Sequence, residues 1–108
     1  MRTIWKFDLN EALESAVVVE GTPVIALTLP LGSVTLDVQI QGGRPVFWVD
    51  LQDGNTPNVN RFAVIGTGRR MPLFVGEWEG TWQDGPFVWH LYSVNEALYQ
   101  IALEQEAT

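Results

Sequence analysis

Two adjacent arginines follow a pair of glycines in the segment Gly66, Thr67, Gly68, Arg69 and Arg70. Glycines at this spacing can turn backbone N–H groups toward an anion, and an arginine fork pairs well with phosphate or carboxylate. The segment lacks the spacing of a P-loop or of a dinucleotide-binding loop. It therefore predicts either a small loop that binds an anionic ligand, such as a nucleotide, or a plain turn at the end of a strand.

The chain contains few of the residue types that usually carry out catalysis. His90 is the only histidine, and there is no cysteine, which excludes a site with several imidazoles, a thiolate metal site and a cysteine nucleophile. A Ser-His-Asp arrangement would depend on His90, but no nucleophile turn or orienting partner is recognisable. We expect no enzymatic activity, no metal and no cofactor, and we interpret His90 as a partly buried structural residue.

The segment LFVGEWEGTW, residues 73–82, alternates acidic and aromatic side chains. Glu77 and Glu79 share one face of a predicted strand, where a carboxylate pair could act as acid and base but is more simply the wet face. Trp78 and Trp82 are predicted on the opposite face, aligned with Phe74. Exposed tryptophan is a favoured anchor at protein interfaces, so Trp78, Trp82, Glu77 and Glu79 form a candidate partner-binding surface.

Strands must position these residues, and the clearest one is SVTLDVQIQ. Val34, Leu36, Val38 and Ile40 alternate with polar residues, which predicts one buried and one wet face. Gly42 and Gly43 then permit a tight turn into an apolar run, residues 44–51, so the two segments are predicted as a hairpin. Further strands are predicted over residues 2–7, 16–20, 24–29, 62–65, 73–82 and 87–92, and the longest loop over residues 53–60.

The last residues, from 93 onward, read as a helix. Ser93 and Glu96 have the spacing of a capping box, and Val94, Leu98, Ile101 and Ala102 follow one helical stripe. Such a stripe must be covered, either by the sheet or by a second copy in a homo-oligomer. The predicted organisation is an antiparallel β domain over residues 1–92, with residues 93–108 as the C-terminal helix and tail of the same domain.

Together these elements predict a mainly β fold, a small antiparallel sandwich or partly open barrel of six or seven strands with one C-terminal helix. The length of 108 residues suits one domain. A formal charge of -7 repels phosphates, so we expect no direct nucleic-acid binding. No apolar run has the length of a signal peptide or a membrane span, and we expect a cytoplasmic protein without membrane association.

Four segments in order resemble a family of short bacteriophage and prophage proteins of unknown function: MRTIWKF, LPLGSVTLDVQIQGGRPVFWV, RFAVIGTGRRMP and FVGEWEGTWQDGPFVWHLY. The resemblance covers roughly residues 1–8 and 29–92. This chain departs from the pattern in a longer stretch over residues 9–28, in Arg69 where a histidine is common, and in the helix after residue 92. The family contributes no established catalytic residues.

Three functions follow as hypotheses. The resemblance, the acidic charge and the surplus of aromatic residues favour a non-enzymatic phage accessory protein that binds a host protein, in the host cytoplasm, and inhibits a bacterial defence system. A second hypothesis is a protein that binds or sequesters an anionic nucleotide through the Gly66–Arg70 loop. The third is a structural or assembly role in the virion.

Overall fold

The computed structural model describes residues 1–107, so Thr108, the last residue of the predicted C-terminal segment, lies outside the described residues. Within that range the chain forms eight strands and two helices. In chain order they are β1 (Arg2–Asp8), α1 (Leu9–Leu13), β2 (Val17–Val19), β3 (Thr22–Pro30), β4 (Val34–Gln41), β5 (Arg44–Gln52), β6 (Pro57–Gly66), β7 (Val75–Asp84), β8 (Phe87–Val94) and α2 (Glu96–Ala107).

The strands form two separate antiparallel sheets. One has three strands in the order β1-β5-β4, and the other has five in the order β2-β3-β6-β8-β7. The predicted mainly β fold with one C-terminal helix is confirmed, and the architecture is the sandwich rather than the partly open barrel. Eight strands are found instead of six or seven, including the short β2, which pairs with β3 within the predicted strand over residues 16–20.

The predicted hairpin is the β4–β5 pair. Gly42 and Gly43 form its turn with φ angles of 59° and 78°, values that other residues adopt only with strain. The predicted buried face of β4 is wrong except at Val38. The register shifts between Thr35 and Asp37, which puts Val34 on the face opposite Val38, and Leu36 at the shift is exposed as well. Ile40 keeps the face of Val38 but lies beside the hairpin turn, where it is 45% exposed.

The main core fills the space between the two sheets, and α1 closes one side of it. Both sheets and α1 contribute its buried residues, which are Leu9, Ile25, Leu29, Val38, Phe47, Val49, Leu51, Phe62, Val64, Trp82 and Leu91. Strands β4 and β7 approach each other closely at Gly80, where an added Cβ would stand 2.4 Å from Val38 Cγ2. Gly80 is therefore required by packing rather than by its backbone conformation.

A second core lies on the other face of the five-stranded sheet, beneath α2. Tyr99 and Ala102 of the helix are buried there against Val19, Val24, Ala63, Ile65 and Phe74. The Phe74 and Tyr99 rings meet edge to face with centroids 5.4 Å apart. The helix therefore docks on the sheet of its own chain, one of the two covers that the sequence predicted.

The start and the buried face of α2 differ from the prediction. Asn95 caps the helix, since its side-chain Oδ1 accepts a hydrogen bond from the Leu98 N–H at 3.1 Å. The Ser93 hydroxyl instead accepts a hydrogen bond from the Glu77 N–H, so the predicted capping box does not form. Ala102 is buried as predicted, but Leu98 and Ile101 are 39% and 49% exposed, because the helix is rotated to place Tyr99 inward.

The predicted long loop over residues 53–60 is also wrong. Only residues 53–56 form a turn, and β6 begins at Pro57, where it pairs with Pro30 of β3. The pairing partner supplies hydrogen bonds that the local Asn-rich sequence does not suggest. Among residues 1–107, the longest segment between elements is instead residues 67–74, which contains most of the predicted ligand loop.

Candidate functional site

The predicted ligand loop leaves β6 at Gly66 and turns at once. The Arg69 N–H donates to the Gly66 carbonyl oxygen at 3.1 Å, and Gly68 has a φ of 88°. The Thr67 N–H donates to the Val88 carbonyl oxygen at 3.1 Å, which ties the loop to the neighbouring strand β8. Arg69 and Arg70 are exposed at the end of this turn. The plain-turn interpretation is therefore correct for the backbone, and it leaves two cations at the surface.

Both arginines line a cavity of about 310 Å³ at the end of the five-stranded sheet. The Trp89 ring forms part of its wall and packs over Gly66, where an added Cβ would stand 3.0 Å from Trp89 Cζ3. The β2–β3 turn supplies the opposite wall, including Glu20. The volume is at the lower end of the range typical for small-molecule sites.

Arg69 and Arg70 differ from the other three arginines in having no acidic partner among residues 1–107. Three arginines form ion pairs: Arg2 with Asp50 at 2.6 Å, Arg61 with Glu96 at 2.6 Å, and Arg44 with Asp8. The only lysine, Lys6, donates from Nζ to the Gln41 side chain at 2.9 Å. Two bases beside a cavity thus remain available in a chain with thirteen acids.

The paired arginines change the titration of their partners. The hydrogen bond from Arg44 lowers the pKa of Asp8 below its usual value, and the hydrogen bond from the Glu11 N–H lowers it further. The hydrogen bond from Arg2 lowers the pKa of Asp50 in the same way. Arg2 and Arg44 therefore have a structural role, since each stabilises the ionised form of a carboxylate in its own chain.

The two candidate tryptophans of β7 have opposite environments. The register of β7 against β8 shifts twice, between Val75 and Trp78 and again between Trp78 and Gly80. Trp82 consequently belongs to the main core at 6% exposure, whereas Trp78 is 60% exposed on the opposite face. The predicted common face of Phe74, Trp78 and Trp82 is wrong. The shift between Trp78 and Gly80 reverses the alternation between the two tryptophans, and Phe74, which precedes β7, is buried in the second core beneath α2. Only Trp78 of the pair presents its ring to solvent.

A chain of hydrogen bonds holds the exposed Trp78 ring in place. Its Nε1–H donates to Thr81 Oγ1 at 2.9 Å, and Thr81 Oγ1 lies 2.9 Å from Nδ1 of His90. On the other side of the imidazole, Nε2 lies 2.9 Å from Thr67 Oγ1, and that hydroxyl donates to the Val88 carbonyl oxygen at 3.2 Å. His90 is half-buried, as predicted.

The donor and the acceptor of each hydrogen bond in this network can be assigned from its two ends, the Val88 carbonyl oxygen and the Trp78 indole N–H. A carbonyl oxygen only accepts, so the Thr67 hydroxyl donates to Val88 and its oxygen accepts from His90 Nε2–H. In the neutral imidazole the other nitrogen, Nδ1, then accepts from the Thr81 hydroxyl, whose oxygen accepts the indole N–H of Trp78. The arrangement orients the Trp78 ring and joins it to Thr67, a residue of the predicted ligand loop.

Glu77 and Glu79 line a separate cavity of about 420 Å³ between β4, β6, β7 and the start of α2. Arg61 and Glu96 line the same cavity as an ion pair. Burial raises the pKa of the Glu79 carboxyl, and the neighbouring Glu77 carboxylate raises it further. The structure thus brings the predicted carboxylate pair to one cavity, on a different part of the molecule from the arginines.

Sequence reasoning missed three residues of these sites. Trp89 and Glu20 line the arginine cavity, and Thr81 clamps the imidazole of His90 together with the predicted loop residue Thr67. Thr67 was named only as part of the glycine turn. In the sequence, Trp89 is recognisable only as one of the alternating residues of the predicted strand over residues 87–92. Its position beside Gly66 depends on the pairing of β6 with β8, which local sequence does not reveal.

A comparison with protein families decides the classification. The family model described as Domain of unknown function (DUF7352) matches residues 1–100. The chain belongs to this family. The DUF7352 match includes residues 9–28 and the first part of α2, two regions that departed from the pattern of the phage proteins. No curated protein and no solved structure matches the chain.

Two further observations concern the described part of this DUF7352 domain. Within residues 1–107, neither helix is long and apolar enough to cross a membrane. In the same range, no group of three or more histidine, cysteine, aspartate or glutamate residues is arranged to hold a metal ion.

Proposed function

We propose that this protein binds a small anionic ligand, of the nucleotide class, in the cavity lined by Arg69, Arg70 and Trp89. The observation that carries the proposal is the pair of arginines without acidic partners at a cavity of about 310 Å³. Guanidinium groups bind phosphate through several N–H donors, and a tryptophan wall favours a planar ring. Glu20, on the opposite wall, offers an acceptor for a ribose hydroxyl or an exocyclic amine.

The charge distribution favours a small ligand over a polyanion. The formal charge of -7 opposes a long phosphate backbone, whose charges would extend beyond the arginines over an acidic surface. A single nucleotide places its phosphates near Arg69 and Arg70 alone. The proposed activity is therefore binding or sequestration of a nucleotide, without chemical conversion.

Replacing Arg69 and Arg70 together with Ala should abolish ligand binding and leave the fold intact. Both side chains are exposed and unpaired within residues 1–107, so the unfolding free energy should change by no more than about 0.5 kcal/mol. Thermal shift with nucleoside mono-, di- and triphosphates measures the binding. A ligand at 100 times its Kd should stabilise the wild type by about 2.7 kcal/mol and the double variant hardly at all.

Two control variants distinguish specific ligand binding at the cavity from a general effect of positive charge. The double variant Lys6→Ala/Arg44→Ala removes the same net charge far from the cavity and should retain the ligand-induced shift. The double variant Arg69→Lys/Arg70→Lys keeps the charge but loses the planar fork, so it should bind more weakly than the wild type. Absence of a shift for the wild type with every nucleotide would refute the proposal.

A second candidate function is supported by the exposed but fixed ring of Trp78. An aromatic side chain already held in one orientation loses little conformational entropy on binding, which suits an interface anchor. We infer a protein partner that covers Trp78, and the resemblance to phage accessory proteins favours a cytoplasmic host protein. Inhibition of a bacterial defence system is the most specific form of this proposal.

Truncation of Trp78 to Ala should weaken such a complex by about 2 kcal/mol, or roughly thirtyfold, as for a central interface residue. The wild type and the Trp78→Ala variant are each used to capture proteins from a host lysate. Phe87→Ala is the matched control, because Phe87 is similarly exposed at 62% on another part of the surface. Capture of the same proteins by all three baits would contradict the assignment of Trp78.

A further inference from the structure

Strand β1 has an unprotected edge. It lies at the end of the three-stranded sheet and pairs only with β5, from Arg2 opposite Gln52 to Asp8 opposite Val46. The register is continuous over all seven residues, without a bulge or a proline. Long regular edges of this kind readily pair with another strand, and folded proteins usually protect them.

The other sheet edges among residues 1–107 are protected. β2 has three residues, and the part of β3 beyond it is flanked by α1. β4 and β7 contact each other and contain bulges, while the outward N–H of Val38 donates to the Asp37 carboxylate at 2.8 Å. β1 is longer than β2, with seven residues, and has none of the register shifts of β4 and β7.

The outward-facing backbone groups of β1 can be identified from its first residue. Met1 and Asp53 exchange two hydrogen bonds, with the Asp53 N–H donating at 2.8 Å and the Met1 amino group donating at 3.2 Å. Hydrogen-bonded and non-hydrogen-bonded pairs alternate along an antiparallel ladder. The N–H and C=O groups of Arg2, Ile4 and Lys6 therefore point away from β5, free to pair with a second strand.

We propose that two copies of this chain associate through β1, antiparallel and centred on Trp5, to form one continuous six-stranded sheet. In such a dimer the outward backbone groups of Ile4 pair with those of Lys6 in the second copy. The exposed side chains of Ile4 and Trp5, at 57% and 39%, become partly covered.

Charge favours a centre at Trp5 over a centre at Ile4 or at Lys6. Even-numbered residues must face even-numbered residues, because only these carry outward backbone groups. A centre at Ile4 would place Arg2 opposite Lys6 of the second copy, and a centre at Lys6 would place the two Lys6 residues opposite each other. A centre at Trp5 places Arg2 opposite Asp8 of the second copy on both sides of the axis, and opposite charges across strands stabilise a sheet.

The first test is the mass in solution of the wild type and of Ile4→Pro, measured by light scattering across a concentration series. The wild type should show twice the chain mass of 12.1 kDa. Proline at position 4 removes an outward N–H and no hydrogen bond to β5, so this variant should be a folded monomer. Ile4→Thr keeps the N–H and should remain a dimer. A monomeric wild type, or a dimeric Ile4→Pro variant with an unchanged association constant, would overturn the proposal.

The second test checks the register, using the absence of native cysteine. Directly opposed residues in a non-hydrogen-bonded pair have Cα atoms about 4.5 Å apart, within the span of a disulfide. Trp5→Cys should therefore form a disulfide-linked dimer under mild oxidation. Thr3→Cys should not, since its Cα atoms would be about 13 Å apart at roughly 3.3 Å per residue. Cross-linking at Thr3→Cys and not at Trp5→Cys would refute this register.

Discussion

Replacement of Val38 with Asp is expected to unfold the domain or nearly so. Val38 is 4% exposed in the main core, and its side chain stands against Gly80, where β4 and β7 approach each other closely. An unpaired carboxylate at this position would cost several kcal/mol, against a total stability of about 5 to 15 kcal/mol for a domain. Chemical denaturation followed by circular dichroism would measure the loss.

Ile40→Asp is the matched control for Val38→Asp. Ile40 lies two residues further along the same strand, but it is 45% exposed. The same change of apolar side chain to carboxylate should therefore cost about 1 kcal/mol or less. If the two variants lost stability equally, the contrast in burial between Val38 and Ile40 would be wrong.

Removal of α2, by ending the chain after Val94, is expected to produce the second large effect. The truncation would expose Val24, Ile65 and Phe74 on the outer face of the five-stranded sheet. A large apolar patch of this kind destabilises a domain and promotes aggregation. We expect a strongly lowered melting temperature or an insoluble product, measured by thermal unfolding of the soluble fraction.

Point variants of α2 test the same contact if the truncated chain is insoluble. Tyr99 is 3% exposed against the Phe74 ring, so Tyr99→Ala should cost about 3 kcal/mol, as for other large buried side chains. Ile101→Ala, at a position that is 49% exposed, should cost much less. A larger loss for Ile101→Ala than for Tyr99→Ala would show that α2 uses the face predicted from the sequence stripe.

Local sequence patterns determined much of the fold. Alternation of apolar and polar residues located the strands, and Gly42 and Gly43 predicted the β4–β5 turn, because these signals depend on residues only a few positions apart. The mainly β class and the C-terminal helix follow from the same signals. The turn at Gly66 and the exposure of Arg69 and Arg70 were also predictable, since no acidic residue lies close to them in sequence.

Tertiary structure alone decided which side chains face the core and which face solvent. The bulges in β4 and β7 exist because these strands pair with particular partners, and each bulge moves the following residues to the opposite face. Trp78 and Trp82 are equivalent by sequence spacing, but only Trp78 is exposed. The Asn95 cap and the inward Tyr99 likewise depend on how α2 meets the sheet.

The candidate sites likewise combine features that local sequence shows with contacts that depend on the fold. Local sequence was enough to predict that two arginines follow a turn, that a single histidine lies on a strand, and that the chain carries an excess of negative charge. Only the tertiary structure placed Trp89 beside the arginines and aligned Thr67, His90 and Thr81 between the loop and Trp78. These contacts join residues from β6, β7, β8 and the intervening loop, and their geometry is set by strand register, which depends on the packing of the whole sheet.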